Sequence, residues 1–133
     1  MTLPGTFVAG DRRSVLVVDE DEQIRQLLVF LLEQGGYEAQ SVGDGLEAVE
    51  ELRKRRFDVV VADYDAPQLD GLRLSLLMRI LWPQTPIVLM CAGPQGVKGW
   101  GTELGVFSWL SKPFTSDAVL AQVENAVAAE YVS

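Results

Sequence analysis

Residues 14–36 read SVLVVDEDEQIRQLLVFLLEQGG. The first five form an unbroken β-branched and apolar run, the pattern of a strand buried on both faces. Beyond them Ile24, Leu27, Leu28, Leu31 and Leu32 recur at helical spacing, which predicts an inward-facing helix over 21–34. Asp21 and Glu22 fall in its first turn, where carboxylates complement the helix dipole. Gly35 and Gly36 stop it. A buried strand that leads directly into a helix is half of a crossover unit, so the fold depends on whether the unit recurs.

It does recur. Residues 37–42 predict a second, shorter strand, and 45–55 a helix with Leu46, Val49 and Leu52 inward. Residues 59–62 (VVVA) predict a third buried strand, followed by a polar loop from Asp63 to Asp70. The next helix is expected over 72–81, with Leu72, Leu76, Leu77 and Ile80 inward and Asp70 as its N-cap. Pro83 and Pro86 end it and admit a fourth strand over 87–90. A fifth strand is expected over 106–110, and a last helix over 115–130 with Val119, Leu120, Val123 and Val127 inward. The fourth helix should lie in 93–105 (GPQGVKGWGTELG). Each glycine inside a helix costs about 1 kcal/mol relative to alanine, so that helix should be short, frayed or partly absent. Residues 1–13, with Pro4, Gly5 and Gly10, read as a flexible arm ahead of one domain over 14–131.

Strands alternating with helices give a parallel sheet covered on both faces by right-handed crossovers. The expected fold is α/β: a three-layer sandwich around a five-stranded, doubly wound parallel sheet. The flavodoxin-like strand order 2-1-3-4-5 suits it, with ligands at the carboxyl ends of the strands.

Composition narrows the function. The chain has 133 residues and a net charge of −8, so it repels phosphate backbones and direct nucleic-acid binding is not expected. It contains no histidine, which excludes His-dependent triads, histidine metal sites and a phosphohistidine on this chain. One cysteine excludes an intrachain disulfide. No signal-peptide pattern and no membrane-length apolar run occur, so a soluble cytoplasmic domain is expected.

The expected strand ends carry Asp19 and Glu20, Asp63, Cys91 and, two residues past the fifth strand, Lys112. In this topology those ends meet at one edge. Two carboxylates ~4 Å apart at an effective dielectric of ~20 repel by about 4 kcal/mol. A bound cation relieves this, and oxygen-only ligation with retained waters is the habit of Mg²⁺. A carboxylate there is a candidate nucleophile toward phosphorus, with Lys112 and the metal neutralising the transferring group.

The segments VLVVDE at 15–20, VVADYDAPQLDG at 60–71, PIVLMCA at 86–92 and WLSKPF at 109–114 stand in order along the chain. Together they resemble the motifs of response-regulator receiver domains, over about residues 14–130. The resemblance implies that Asp63 is the phosphoacceptor and that Pro67 shapes the following loop. It implies Glu20 as a direct Mg²⁺ ligand, Asp19 acting through water, and Asp65 binding through its backbone carbonyl. Lys112 would contact the phosphoryl group, with a cis bond to Pro113. Two positions depart from the family pattern. Cys91 stands where a Thr or Ser switch hydroxyl is usual, and Trp109 where a rotating Tyr or Phe is usual.

The function implied is that of a phosphorelay receiver rather than an enzyme with small-molecule turnover. It would take a phosphoryl group from a histidine kinase or histidine phosphotransfer protein. It would signal to a downstream protein or effector domain through the fourth strand, fourth helix, fifth strand and last helix, with a homodimer left open. One alternative is a degenerate receiver acting as a phosphorylation-independent interaction domain. Another is a small metal-dependent phosphatase, with Asp65 as acid/base two residues after the nucleophile, although no loop is long enough for a substrate cap. Arg53, Lys54, Arg55 and Arg56 read as ordinary complementation of a helix C-terminus. Trp82 and Trp100 fit either core or interface.

Overall fold

The structure, a computed structural model, describes residues 12–92 and 106–132, with side chains of the last helix described through residue 129. The elements are β1 (Ser14–Val18), α1 (Glu22–Gln34), β2 (Glu38–Val42), α2 (Gly45–Lys54), β3 (Val59–Asp63), α3 (Gly71–Leu81), β4 (Ile87–Ala92), β5 (Ser108–Lys112) and α4 (Ser116–Val132). All strand pairs are parallel. The sheet order is β2-β1-β3-β4-β5, as the crossover pattern predicts. The fourth helix expected in 93–105 and Trp100 lie outside the described residues, as does the arm up to residue 11. Among the described residues no helix is long and apolar enough to cross a membrane.

The sheet divides the core in two. Leu16, Val18, Val60, Ala62 and Leu89 face Ala48 and Leu52 of α2 and Leu74 and Met78 of α3. Val15, Val17, Val61, Val88 and Met90 face Leu28 and Leu32 of α1 and Val119, Val123 and Ala126 of α4. Alternation along each strand thus serves both layers, which is why β1, β3 and β4 are apolar at nearly every position.

Asp70 caps its helix as expected, whereas Asp21, expected inside the first turn, is itself a cap and leaves Glu22 there. Asp21, Asp44 and Asp70 each cap a helix, accepting from backbone N–H groups of the first turn. The inward faces need correction. In α3 the buried residues are Gly71, Leu74, Ser75 and Met78, whereas Ile80 is 76% exposed and Leu76 is also exposed. Ser75 tolerates burial because its hydroxyl donates to the Leu72 carbonyl at 2.6 Å. Leu27 of α1 and Leu46 of α2 are likewise exposed. Close approach to the sheet selects small residues, and leucine count alone misjudges the buried face.

Strand ends also shift. Asp63 closes β3, while Cys91 lies inside β4 and Lys112 ends β5. β5 begins two residues later than expected. Val106 is buried in the core below the edge rather than in the ladder, and the Phe107 N–H donates to the Ile87 carbonyl at 2.8 Å.

Candidate functional site

The carboxyl ends of β1, β3 and β5 bring Asp19, Asp63 and Lys112 together. Asp19 continues the β1–β2 ladder for one residue, its N–H donating to the Val42 carbonyl at 3.2 Å. Its side chain is almost fully buried. One oxygen, Oδ1, accepts from the Asp21 N–H at 2.9 Å; the other, Oδ2, accepts from Lys112 Nζ at 2.9 Å. The same ammonium lies 3.6 Å from Asp63 Oδ2. Asp63 Oδ1 accepts from the Asp65 N–H at 3.4 Å, and its carbonyl accepts from the Ala66 N–H at 3.1 Å.

Electrostatics follow from this crowding. Burial pushes the Asp63 carboxyl above the usual aspartate value; the Lys112 charge and the hydrogen bond from the Asp65 N–H oppose the shift, and the negative charges of Asp19 and Asp65 add to it. Burial alone would lower the Lys112 ammonium, but its hydrogen bond to Asp19 and the charges of Asp63 and Asp19 more than offset that and raise it. Both partially buried groups therefore hold their protons more firmly than in water.

The loop beyond Asp63 is tightly placed. The Tyr64 N–H donates to the Met90 carbonyl at 2.8 Å, and the Gly71 N–H returns to the Tyr64 carbonyl at 3.1 Å. The Gly45 N–H donates to the Pro67 carbonyl at 3.2 Å, docking the start of α2 on the loop. A Cβ at Gly45 would stand 1.9 Å from the Leu69 carbonyl oxygen, and one at Gly71 would stand 2.7 Å from that of Asp63. Gln68 adopts a left-handed φ of 70° in this bend. The Lys112-Pro113 bond is cis.

Glu20 and Asp65 are exposed, and Asp65 lies close enough for its charge to act on Asp63. Among the described residues no three acidic or thiol side chains close into a ready-made metal cage. The donor set nevertheless suits a hard cation. Two carboxylates already share one positive charge, that of Lys112, and Mg²⁺ needs only one or two carboxylates besides waters and phosphate oxygens.

Cys91 is buried near the end of β4, in register with Ser111, and Ala92 pairs with Lys112. Trp109 packs on the core shared by α2 and α3, its ring 5.9 Å from that of Tyr64 and tilted 39°. Its Nε1 is buried without an acceptor among the described residues. The residue after Asp63 is thereby in contact with the aromatic residue of β5.

Sequence reasoning missed Gly45, Gly71 and Arg25. The glycines had a signal: both follow a capping aspartate, in Asp44-Gly45 and Asp70-Gly71, where a poor helix former needs a reason. Arg25 donates from Nη1 to the carbonyls of Asp19 and Glu20, and nothing in its helical position marks it.

A family model described as response regulator receiver domain matches residues 15–124. The chain is similar to the alkaline phosphatase synthesis transcriptional regulatory protein PhoP of Bacillus subtilis (strain 168). The two are 34% identical over 113 residues, covering 84% of this chain and 47% of that protein. It is also similar to the sensor histidine kinase RcsC of Escherichia coli (strain K12), at 35% over 121 residues, covering 88% of this chain and 13% of that one. Among solved structures, the chemotaxis response regulator CheY4 of Vibrio cholerae matches with a TM-score of 0.78 and 30% identity, over 86% of this chain and 98% of that one. The chain spans about half or less of the length of these two curated relatives.

Proposed function

Because this chain belongs to the response regulator receiver family, we propose that it accepts a phosphoryl group on Asp63 from a histidine kinase or histidine phosphotransfer protein. The observation that carries the reading is the single ammonium of Lys112 held between Asp19 and Asp63. An Asp63 carboxylate oxygen attacks phosphorus, a P–O bond forms, and the P–N bond to the donor imidazole breaks, the imidazole leaving with its electron pair. Asp19, Glu20, Asp63 and the Asp65 carbonyl would hold Mg²⁺, which supplies charge neutralisation on the phosphoryl oxygens. Lys112 neutralises a further oxygen.

Cys91 and Trp109 occupy the positions through which the phosphorylated state is read. The output face includes β4, β5 and α4, and it meets a downstream protein or effector domain in the cytoplasm. The domain works as a stoichiometric acceptor rather than a small-molecule enzyme. Incubation with acetyl phosphate and Mg²⁺, followed by intact mass, should show one added phosphoryl group, absent in Asp63→Asn. Sustained phosphate release from small phosphate esters, lost in Asp65→Asn, would favour a phosphatase instead.

One observation favours a second reading, a degenerate receiver. The buried Cys91 thiol and the indole packed against Tyr64 both depart from the usual switch residues. Failure of Asp63 to take phosphate, with the fold intact, would select it.

A further inference from the structure

Arg25 lies in the first turns of α1 and points back at the strand end that precedes its own helix. Its Nη1 donates to the Asp19 carbonyl at 2.7 Å and to the Glu20 carbonyl at 3.0 Å. One nitrogen carries two hydrogens, so each carbonyl can take one. We infer that Arg25 is a positioning residue, fixing the acidic turn so that the Asp19 and Glu20 side chains are preset for a divalent cation. The inference rests on the metal-ligand reading proposed above.

The turn closes on itself. The Asp21 N–H donates to Asp19 Oδ1 at 2.9 Å, and Asp21 Oδ1 in turn accepts from the N–H groups of Gln23 and Ile24 at 2.9 and 3.4 Å. The Arg25 N–H donates to the Asp21 carbonyl at 3.0 Å, and its guanidinium then reaches back to residues 19 and 20. Asp19, Glu20, Asp21, Gln23, Ile24 and Arg25 are thus linked by these bonds. The guanidinium lies against Gly43, in the turn between β2 and α2, where a Cβ would stand 3.4 Å from Nη1, about van der Waals contact. A guanidinium presents several donors in a fixed plane, whereas lysine offers one ammonium on a flexible stem. Groups that orient metal ligands without touching the metal change affinity on the order of 10–100-fold when removed.

Charge and positioning make opposite demands, so they can be separated. As a mere positive charge near the site, Arg25 opposes cation binding, and its removal would strengthen that binding. As a positioning group it supports binding, and its removal weakens it. The test measures the Mg²⁺ dissociation constant by calorimetry for the wild type, Arg25→Lys and Arg25→Gln, with melting in EDTA as the check on folding. Both variants should bind Mg²⁺ about tenfold more weakly, and their acetyl phosphate reactivity should recover at saturating Mg²⁺. Wild-type affinity in Arg25→Lys, or tighter binding in Arg25→Gln, would overturn the positioning role. A wild type that binds no Mg²⁺ overturns both this and the metal-ligand reading. A wild type that binds, with variants equal to it, overturns this inference alone.

Discussion

Lys112 stands closer to Asp19 than to Asp63, at 2.9 against 3.6 Å, and joins the last strand to the first across 93 residues of sequence. The buried Asp19 carboxylate is thereby compensated without a metal, while Asp63 is held more loosely, by the Asp65 N–H at 3.4 Å and by Lys112 at 3.6 Å.

Lys112→Met removes that compensation. Breaking a fully buried pair costs about 3–5 kcal/mol, because a charge remains behind. Lys112 is partly exposed, so a loss of about 2–3 kcal/mol is expected in urea denaturation with EDTA present. Millimolar Mg²⁺ should recover part of it, since a ligand of the native state stabilises by mass action. Equal stability of variant and wild type in EDTA would show that the bridge is not structural.

Asp63 gives the pH dependence. Its folded pKa is raised, mainly by burial, so its contribution to stability is fully present below the unfolded value and is lost as pH rises through the folded one. At neutral pH without metal, the charged carboxylate is a burden. Asp63→Asn should then be more stable than wild type, and the gap should close on acidification below the ordinary aspartate range. A gap that widens on acidification would reverse the assignment. Lys112, also raised, should contribute at the alkaline end, its share being lost as pH climbs past its raised value.

Most of the fold was legible because burial on both faces leaves an unambiguous record. The runs at 14–18 and 59–62 match strands whose residues are nearly all buried, and the order of crossovers then leaves few topologies. Asp19, Asp63 and Lys112 could be brought to one edge for the same reason. The helix faces were harder. Leu46, Leu76 and Ile80 look like core in a leucine-rich stretch, yet the close contacts fall to Gly45, Ala48, Ser75 and Met78. Backbone contacts such as those of Arg25 and Gly45 leave no hydropathy pattern, so only three-dimensional proximity discloses them.

The two glycines Gly45 and Gly36 should respond differently to alanine. At Gly45 the obstacle is the Leu69 backbone at 1.9 Å, which cannot yield as a side chain tip does. Overpacking of this kind costs about 1–3 kcal/mol, and because the displaced loop carries Asp65 and Pro67, phosphorylation by acetyl phosphate should slow as well. At Gly36 nothing lies within 4 Å, but φ is +93°, so only backbone strain of about 1 kcal/mol applies. Denaturant midpoints and phosphorylation rates of the two variants check this. Slower phosphorylation in Gly36→Ala, with Gly45→Ala unaffected, would contradict the assigned role of the docked turn.

Cys91 and Trp109 bear on how strongly phosphorylation is read. Cys91 is buried on β4 beside Ser111, one position from the Ala92–Lys112 pair, and Trp109 touches Tyr64, the neighbour of Asp63. A thiol donates only weakly. A hydrogen bond to a charged group contributes about 1.5–3 kcal/mol, so replacing a hydroxyl by the thiol should cut the bias toward the active state tenfold or more. Uptake itself needs the nucleophile, the metal and charge neutralisation, so it should survive. Beryllofluoride with Mg²⁺ should therefore produce small changes in Trp109 fluorescence and in amide exchange across β4 and β5 of the wild type. Cys91→Thr should enlarge both, while its newly buried hydroxyl lowers the stability of the unmodified domain by about 1 kcal/mol. A large response in the wild type, unaltered by Cys91→Thr, would show that the thiol does not limit the switch.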